Sequence, residues 1–147
     1  MKSGNSKNRN IFFRYIIFFQ IVCAAGLFAQ ELKGKDPSQI FARIEEGIAD
    51  GSVDKFSCYF SSKNYISLSN GTAGYYSSNQ SYYVIKDFLS ICVPSSFKLT
   101  NIVTETKSPF ASGTIKYTSK GIRKTATVFI TLQMVDNQLC ISQITIN

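Results

Sequence analysis

"IRKTATVFITLQMVDNQLCISQITI", residues 122–146, is the stretch that decides how this chain folds. Ile122, Ala126, Val128, Ile130, Leu132 and Met134 occupy alternate positions, so an extended backbone turns all of them to one face. Arg123, Thr125, Thr127, Phe129, Thr131 and Gln133 share the opposite face. Asp136-Asn137 breaks the run with turn residues, and "QLCISQITI" (138–146) resumes it as a final strand. Upstream, Lys120-Gly121 is another turn, "FASGTIKYTS" (110–119) another strand, and "SFKLTNIVTET" (96–106) a fourth, parted from its neighbour near Ser108-Pro109. A two-faced antiparallel meander of this kind must cover its apolar side with helices.

The helices stand ahead of it. Asp36-Pro37 is a helix start, with Asp as cap and Pro at the first helical position. Ile40, Ile44 and Ile48 repeat at four with Phe41 beside them, while Arg43, Glu45 and Glu46 take the other side. Asp50-Gly51 ends that helix. Ser52 opens a second, short helix whose stripe is Val53, Phe56 and Phe60. The period then drops to two. "NYISLSNGTAGYYSS" (64–78) reads as a hairpin closed at Asn70-Gly71, a pair suited to turn positions of positive φ. Ser77 or Ser78 caps a longer helix from about Asn79 to Cys92, with Val84, Ile85, Phe88, Leu89 and Cys92 on its buried face, and Pro94 stops it.

The expected order is therefore α-α-β-β-α-β-β-β-β in an α+β domain over residues 37–147. With "IFARIEEGIADGSVDKFSCYF" (40–60), "YISLSNGTAGYYSSNQSYYVIKDFL" (65–89) and "ATVFITLQMVDNQLCISQITI" (126–146), that order resembles the nuclear transport factor 2-like superfamily. Within it, the chain is similar to an exported bacterial family of unknown function. The resemblance implies a cystatin-like cone, in which a curved antiparallel sheet wraps helices. Some members of the superfamily are isomerases or dehydratases that use a carboxylate, often with histidine or tyrosine, inside the cone. None of their catalytic positions matches a residue of this chain.

Residues 1–29 read as a cleaved signal peptide. Lys2, Lys7 and Arg9 form a positive start, Tyr15 to Phe28 an apolar core, and Ala24-Ala25-Gly26 with Ala29 a small-residue exit. Arg14 and Gln20 interrupt the run that an uncleaved spanning helix would need. Cys23 follows Val22 and lies inside the apolar core, which argues against lipid attachment there. The expected cut falls between Ala29 and Gln30, leaving a polar lead (30–36), no membrane anchor, and a periplasmic or secreted product. The full chain carries 16 basic and 9 acidic residues; the leader takes Lys2, Lys7, Arg9 and Arg14, so a net +7 falls to +3. That weak surplus argues against a nucleic-acid partner.

Chemistry is sparse. The chain has no histidine, which removes Ser/His/Asp and Cys/His catalysis and the usual zinc sites. Cys58, Cys92 and Cys140 follow the leader without metal-ligand spacing. No cofactor or metal is expected. Asp87 and Glu105 are the candidate general bases, and each reads more simply as a solvated carboxylate. Lys116, Lys120, Arg123 and Lys124 gather around one turn, where they protect strand ends or meet an acidic partner or anionic lipid. Tyr65, Tyr75, Tyr76, Tyr82 and Tyr83 cluster near the hairpin, and Tyr75 and Tyr76 are the candidate contact residues for a small apolar ligand or a protein partner. The reading is a non-enzymatic binding module. Its alternatives are a cone-type isomerase or lyase with a buried carboxylate, and a structural subunit that dimerises through its sheet around Phe129. A cone filled by Phe and Ile side chains favours the partner-binding role.

Overall fold

The computed structural model describes residues 36–147. The signal-peptide reading, the Ala29/Gln30 cut, Cys23 and nearly all of the polar lead lie outside the described residues. Helix α1 (Pro37–Ala49) starts as its sequence demands: the Asp36 carboxylate accepts from the Ser38 N–H at 2.9 Å, and Pro37 occupies the first turn. Its stripe of Ile40, Phe41, Ile44 and Ile48 is fully buried, each side chain contributing roughly 1.5–3 kcal/mol of transfer free energy. The expected second helix is instead two successive 3₁₀ turns, Val53–Lys55 and Ser57–Tyr59. Ser52 makes no side-chain cap, while Val53, Phe56 and Phe60 are buried as expected. A stripe this short cannot sustain an α-helix, and the i, i+3 spacing of Val53 and Phe56 suits the tighter turn.

Strands β1 (Phe60–Ser67) and β2 (Ala73–Tyr76) form the hairpin. Its loop differs from a two-residue turn with both centres at positive φ. Only Gly71 adopts positive φ (+92°), its N–H bonds Leu68 O at 3.0 Å, and the Leu68 N–H bonds Thr72 O at 2.8 Å. This is the three-residue loop that closes on a glycine bulge, and Asn70 serves it by accepting from the Thr72 N–H at 3.0 Å. Helix α2 (Ser78–Ile91) is capped by Ser77 in a full capping box with Gln80. Ile85, Phe88, Leu89 and Cys92 are buried and Val84 is half-buried.

Strands β3 (Val93–Val103), β4 (Phe110–Ser119), β5 (Ile122–Val135) and β6 (Gln138–Ile146) make the meander. Lys120 and Gly121 turn with φ of 51° and 77°, and Asp136 and Asn137 with 47° and 64°. Pro94 does not merely end α2; it lies inside β3, where an edge strand with a local bulge tolerates a residue without an N–H. The sheet runs β2-β1-β6-β5-β4-β3. It is mixed rather than antiparallel throughout, because β1 and β6 pair parallel. Local alternation sets which face a residue takes, not the direction of a distant partner. The inner face carries Ala126, Val128, Ile130 and Leu132, packed with Phe41, Phe56 and Phe88 from the helices and turns. Ile122 and Met134, expected on this face, are 61% and 51% exposed because β5 runs past its helical cover at both ends. Glu45 of α1 clamps the β3 edge: it accepts from the Leu99 N–H at 2.8 Å and from Lys98 Nζ at 2.7 Å. Among the described residues, no helix is long and apolar enough to cross a membrane.

Candidate functional site: a tyrosine groove on the outer sheet face

Two breaks in strand register meet on the outer face. Against β6, β1 pairs Phe60 with Ile141 and next Tyr65 with Gln143, so the chain between Phe60 and Tyr65 bulges out. Against β5, β6 pairs Ile141 with Leu132 and Gln143 with Thr131, leaving Ser142 unopposed. Bulges bend a strand and re-aim its side chains, and they recur beside binding sites.

The β1 bulge is held from within. Asn64, fully buried, accepts from the Ser61 N–H at 2.9 Å. Its Nδ2 donates to Ser61 O at 2.9 Å, to Ser81 Oγ of α2 at 2.9 Å and to Tyr76 O at 3.4 Å. The Ser61 hydroxyl donates to Lys63 O at 2.6 Å and accepts from the Lys63 N–H at 3.1 Å. One buried amide thus replaces the ladder that the bulge interrupts and ties β1 to α2. A buried polar group of this kind is tolerated because its bonds are made.

Outside this frame lies a groove of about 440 Å³ lined by Ser61, Ser62, Lys63, Tyr65, Tyr75, Gln133, Val135, Ser142 and Gln143. Tyr65 and Tyr75 are cross-strand partners, with ring centroids 5.2 Å apart at 61°, an edge-to-face pair. Lys63 Nζ stands 4.6 Å from the Tyr75 ring centroid, a cation–π contact worth about 0.5–1 kcal/mol at an exposed site. Tyr75 remains 67% exposed.

The five tyrosines therefore divide. Tyr65 and Tyr75 share the groove. Tyr76, the next residue of β2, turns to the inner side and packs against the core. It does not form one surface with Tyr75. Tyr82 and Tyr83 pair on α2 at 5.1 Å, and the Tyr82 hydroxyl donates to Asp54 Oδ1 at 3.1 Å while accepting from Lys86 Nζ at 3.2 Å. Asp87 and Glu105 are exposed and neither lines the groove. Among the described residues, no group of His, Cys, Asp or Glu side chains is placed to hold a metal ion. Sequence reasoning missed Lys63, Gln133, Ser142 and Gln143. The Tyr65–Tyr75 pair was missed too: a two-residue turn at Asn70-Gly71 sets Tyr65 opposite Tyr76, and only the three-residue loop shifts the register to Tyr75.

Solved structures share the fold of this helix-backed sheet, that of nuclear transport factor 2-like and cystatin-like proteins. A Nostoc punctiforme protein of unknown function with a cystatin-like fold is 11% identical with a TM-score of 0.56, over 76% of this chain and 86% of its own. An NTF-2-like protein of unknown function from Shewanella oneidensis is 14% identical with a TM-score of 0.53, over 74% and 93% respectively. With that fold, the chain belongs to the family described as Domain of unknown function (DUF4783), which it matches over residues 41–147. A DUF4783 family protein from Bacteroides ovatus is 23% identical with a TM-score of 0.63, over 71% of this chain and 91% of its own. No curated protein sequence matches the chain.

Proposed function

We propose that this chain is a non-enzymatic recognition module of an exported protein, and that the groove at Tyr65 and Tyr75 receives a protein partner. One observation carries the reading: two sheet bulges coincide beneath an exposed tyrosine pair, giving a groove with amide, hydroxyl, ammonium and aromatic contacts. Tyrosine offers large contact area at low entropic cost, which suits recognition. The cone interior supports it too. Phe41, Phe56 and Phe88 fill the space between sheet and helices together with Ile40, Ile44, Ile85 and Ile130, so contact with a partner falls to the outer face. Asp87 and Glu105, the candidate general bases, are exposed.

A second reading has its own support. Phe129 and Phe110 are 45% and 40% exposed on the same outer face, so the partner of that face is then a second copy of the chain. Site-specific photo-cross-linking in producing cells separates the two, with position 75 as the probe and position 107 as the control. The expected result is an adduct of one defined mass from position 75 and none from position 107, lost on Tyr65→Ala. An adduct of twice the chain mass selects self-association. Equal adducts from both positions, or none from position 75, refute the groove. Export is tested separately: the recovered protein should begin at Gln30, and an intact Met1 or an acyl chain on Cys23 would refute it.

A further inference from the structure

A second groove lies at the opposite end of β5. It holds about 560 Å³ and is lined by Lys116, Arg123 and Lys124 together with the hydroxyl residues Ser95, Thr118 and Thr125. The distance from Lys124 to Gln133 along the strand is roughly 30 Å at about 3.3 Å per residue, so the two grooves are separate sites. Ser95 reaches this one through a bulge: β3 pairs Pro94 with Tyr117 and Ser96 with Lys116, leaving Ser95 between them, and its hydroxyl donates to Lys116 O at 3.1 Å. Lys120 stands at the tip of the same hairpin.

The charges here are of one sign. No Asp or Glu occurs between Glu105 and Asp136, a span that includes the whole β4–β5 hairpin. The ion pairs found among the described residues are Arg43–Glu46, Lys55–Glu46, Lys55–Asp50 and Lys98–Glu45, and none includes a cation of this groove. Thr118 faces Arg123 and Lys116 faces Thr125, so Lys116 and Arg123 are diagonal neighbours on one face, about 7–8 Å apart for such a pair. Like charges held this close disfavour the fold slightly, and a multiply charged anion relieves that repulsion.

We propose that this groove binds a ligand carrying adjacent phosphate or sulfate groups. The Arg123 fork meets two oxygens at once, Lys116 acts as a point charge, and the hydroxyls donate to remaining oxygens. A single carboxylate would neutralise only one of the two cations, Lys116 and Arg123, that share this face; Lys124, paired with Tyr117, takes the other face.

Isothermal titration at low ionic strength with inorganic pyrophosphate tests this, beside sedimentation with vesicles containing anionic phosphatidylglycerol. Pyrophosphate binding is expected, weakening as salt rises. The combined Lys116→Gln and Arg123→Gln variant should bind about tenfold more weakly or worse, since each exposed charge contact is worth up to about 1 kcal/mol. Lys107→Gln should bind as the parent does. An unchanged melting temperature shows that the exposed substitutions leave the fold intact. The proposal is overturned if the parent does not bind pyrophosphate, if the double variant binds it equally well, or if only the vesicles bind.

Discussion

Replacing Asn64 by alanine tests the frame of the groove and the packing of α2 together. The side chain is fully buried and makes three hydrogen bonds of 2.9 Å, with the Ser61 N–H, Ser61 O and Ser81 Oγ. Ser81 is fully buried and Ser61 is 6% exposed, so water does not take over these partners freely. At about 1 kcal/mol for each bond, the loss is about 3 kcal/mol. That is a large share of the 5–15 kcal/mol roughly typical of a domain. With an m-value of about 1.5 kcal/mol/M, the urea midpoint falls by about 2 M. Ser81→Ala removes only the tie to α2 and should cost about 1 kcal/mol. Urea titrations of both variants, followed by far-ultraviolet circular dichroism, measure the difference. A loss for Asn64→Ala no larger than that for Ser81→Ala would show that the bulge holds itself without the amide, and the argument for a built groove would fail with it.

Glu45 carries a pH dependence. Burial pushes its carboxyl up, but the hydrogen bonds from Lys98 and the Leu99 N–H, with the Lys98 charge, outweigh burial and hold it below the ordinary carboxylate value. The stability it contributes is therefore complete above that ordinary value and is lost as pH falls through the lower folded one. Urea midpoints at pH 6 and pH 3 should fall less steeply in Glu45→Gln than in the parent; equal slopes would refute the clamp. Gly113→Ala should destabilise by about 1–3 kcal/mol, because a Cβ there meets Lys98 O and lies 2.8 Å from Leu99 Cα, both backbone atoms that cannot swing aside; thermal melting measures it, and an unchanged melting temperature would refute the close approach. With an aromatic disulfide reagent, Cys58 should react first, Cys140 more slowly because burial raises its thiol, and Cys92 last. Reducing agent should leave the melting temperature unchanged, since the three thiols are unpaired; a large fall would refute that.

The meander was legible because its signals are local. Alternation of apolar residues fixes a face, and Lys120-Gly121 and Asp136-Asn137 supply backbone that turns at positive φ. The caps Asp36 and Ser77 were legible for the same reason, since each bonds an amide two or three residues on. The parallel seam between β1 and β6 was not, because nothing near Tyr65 records that Gln143 will lie beside it. The bulges at Ser61–Lys63, Ser95 and Ser142 were equally silent: each depends on how two strands compete for one register. The grooves follow the bulges, which is why the tyrosines could be named but not sorted. Writing Tyr75 and Tyr76 as neighbours in a strand would have parted them; placing Gln143 beside Tyr65 required the sheet.

The position of β6 bears on how the chain comes together in time. Its strand is the last in sequence, yet it sits between β1 and β5 in the sheet. A hairpin alone is marginal in water, so β1 and β2 have no sheet to join until residues 138–146 take their place beside β5. Assembly must then close a loop from the first strand to the last, the kind of distant pairing that slows folding. Deletion of residues 138–146 would leave two fragments of sheet with no common edge.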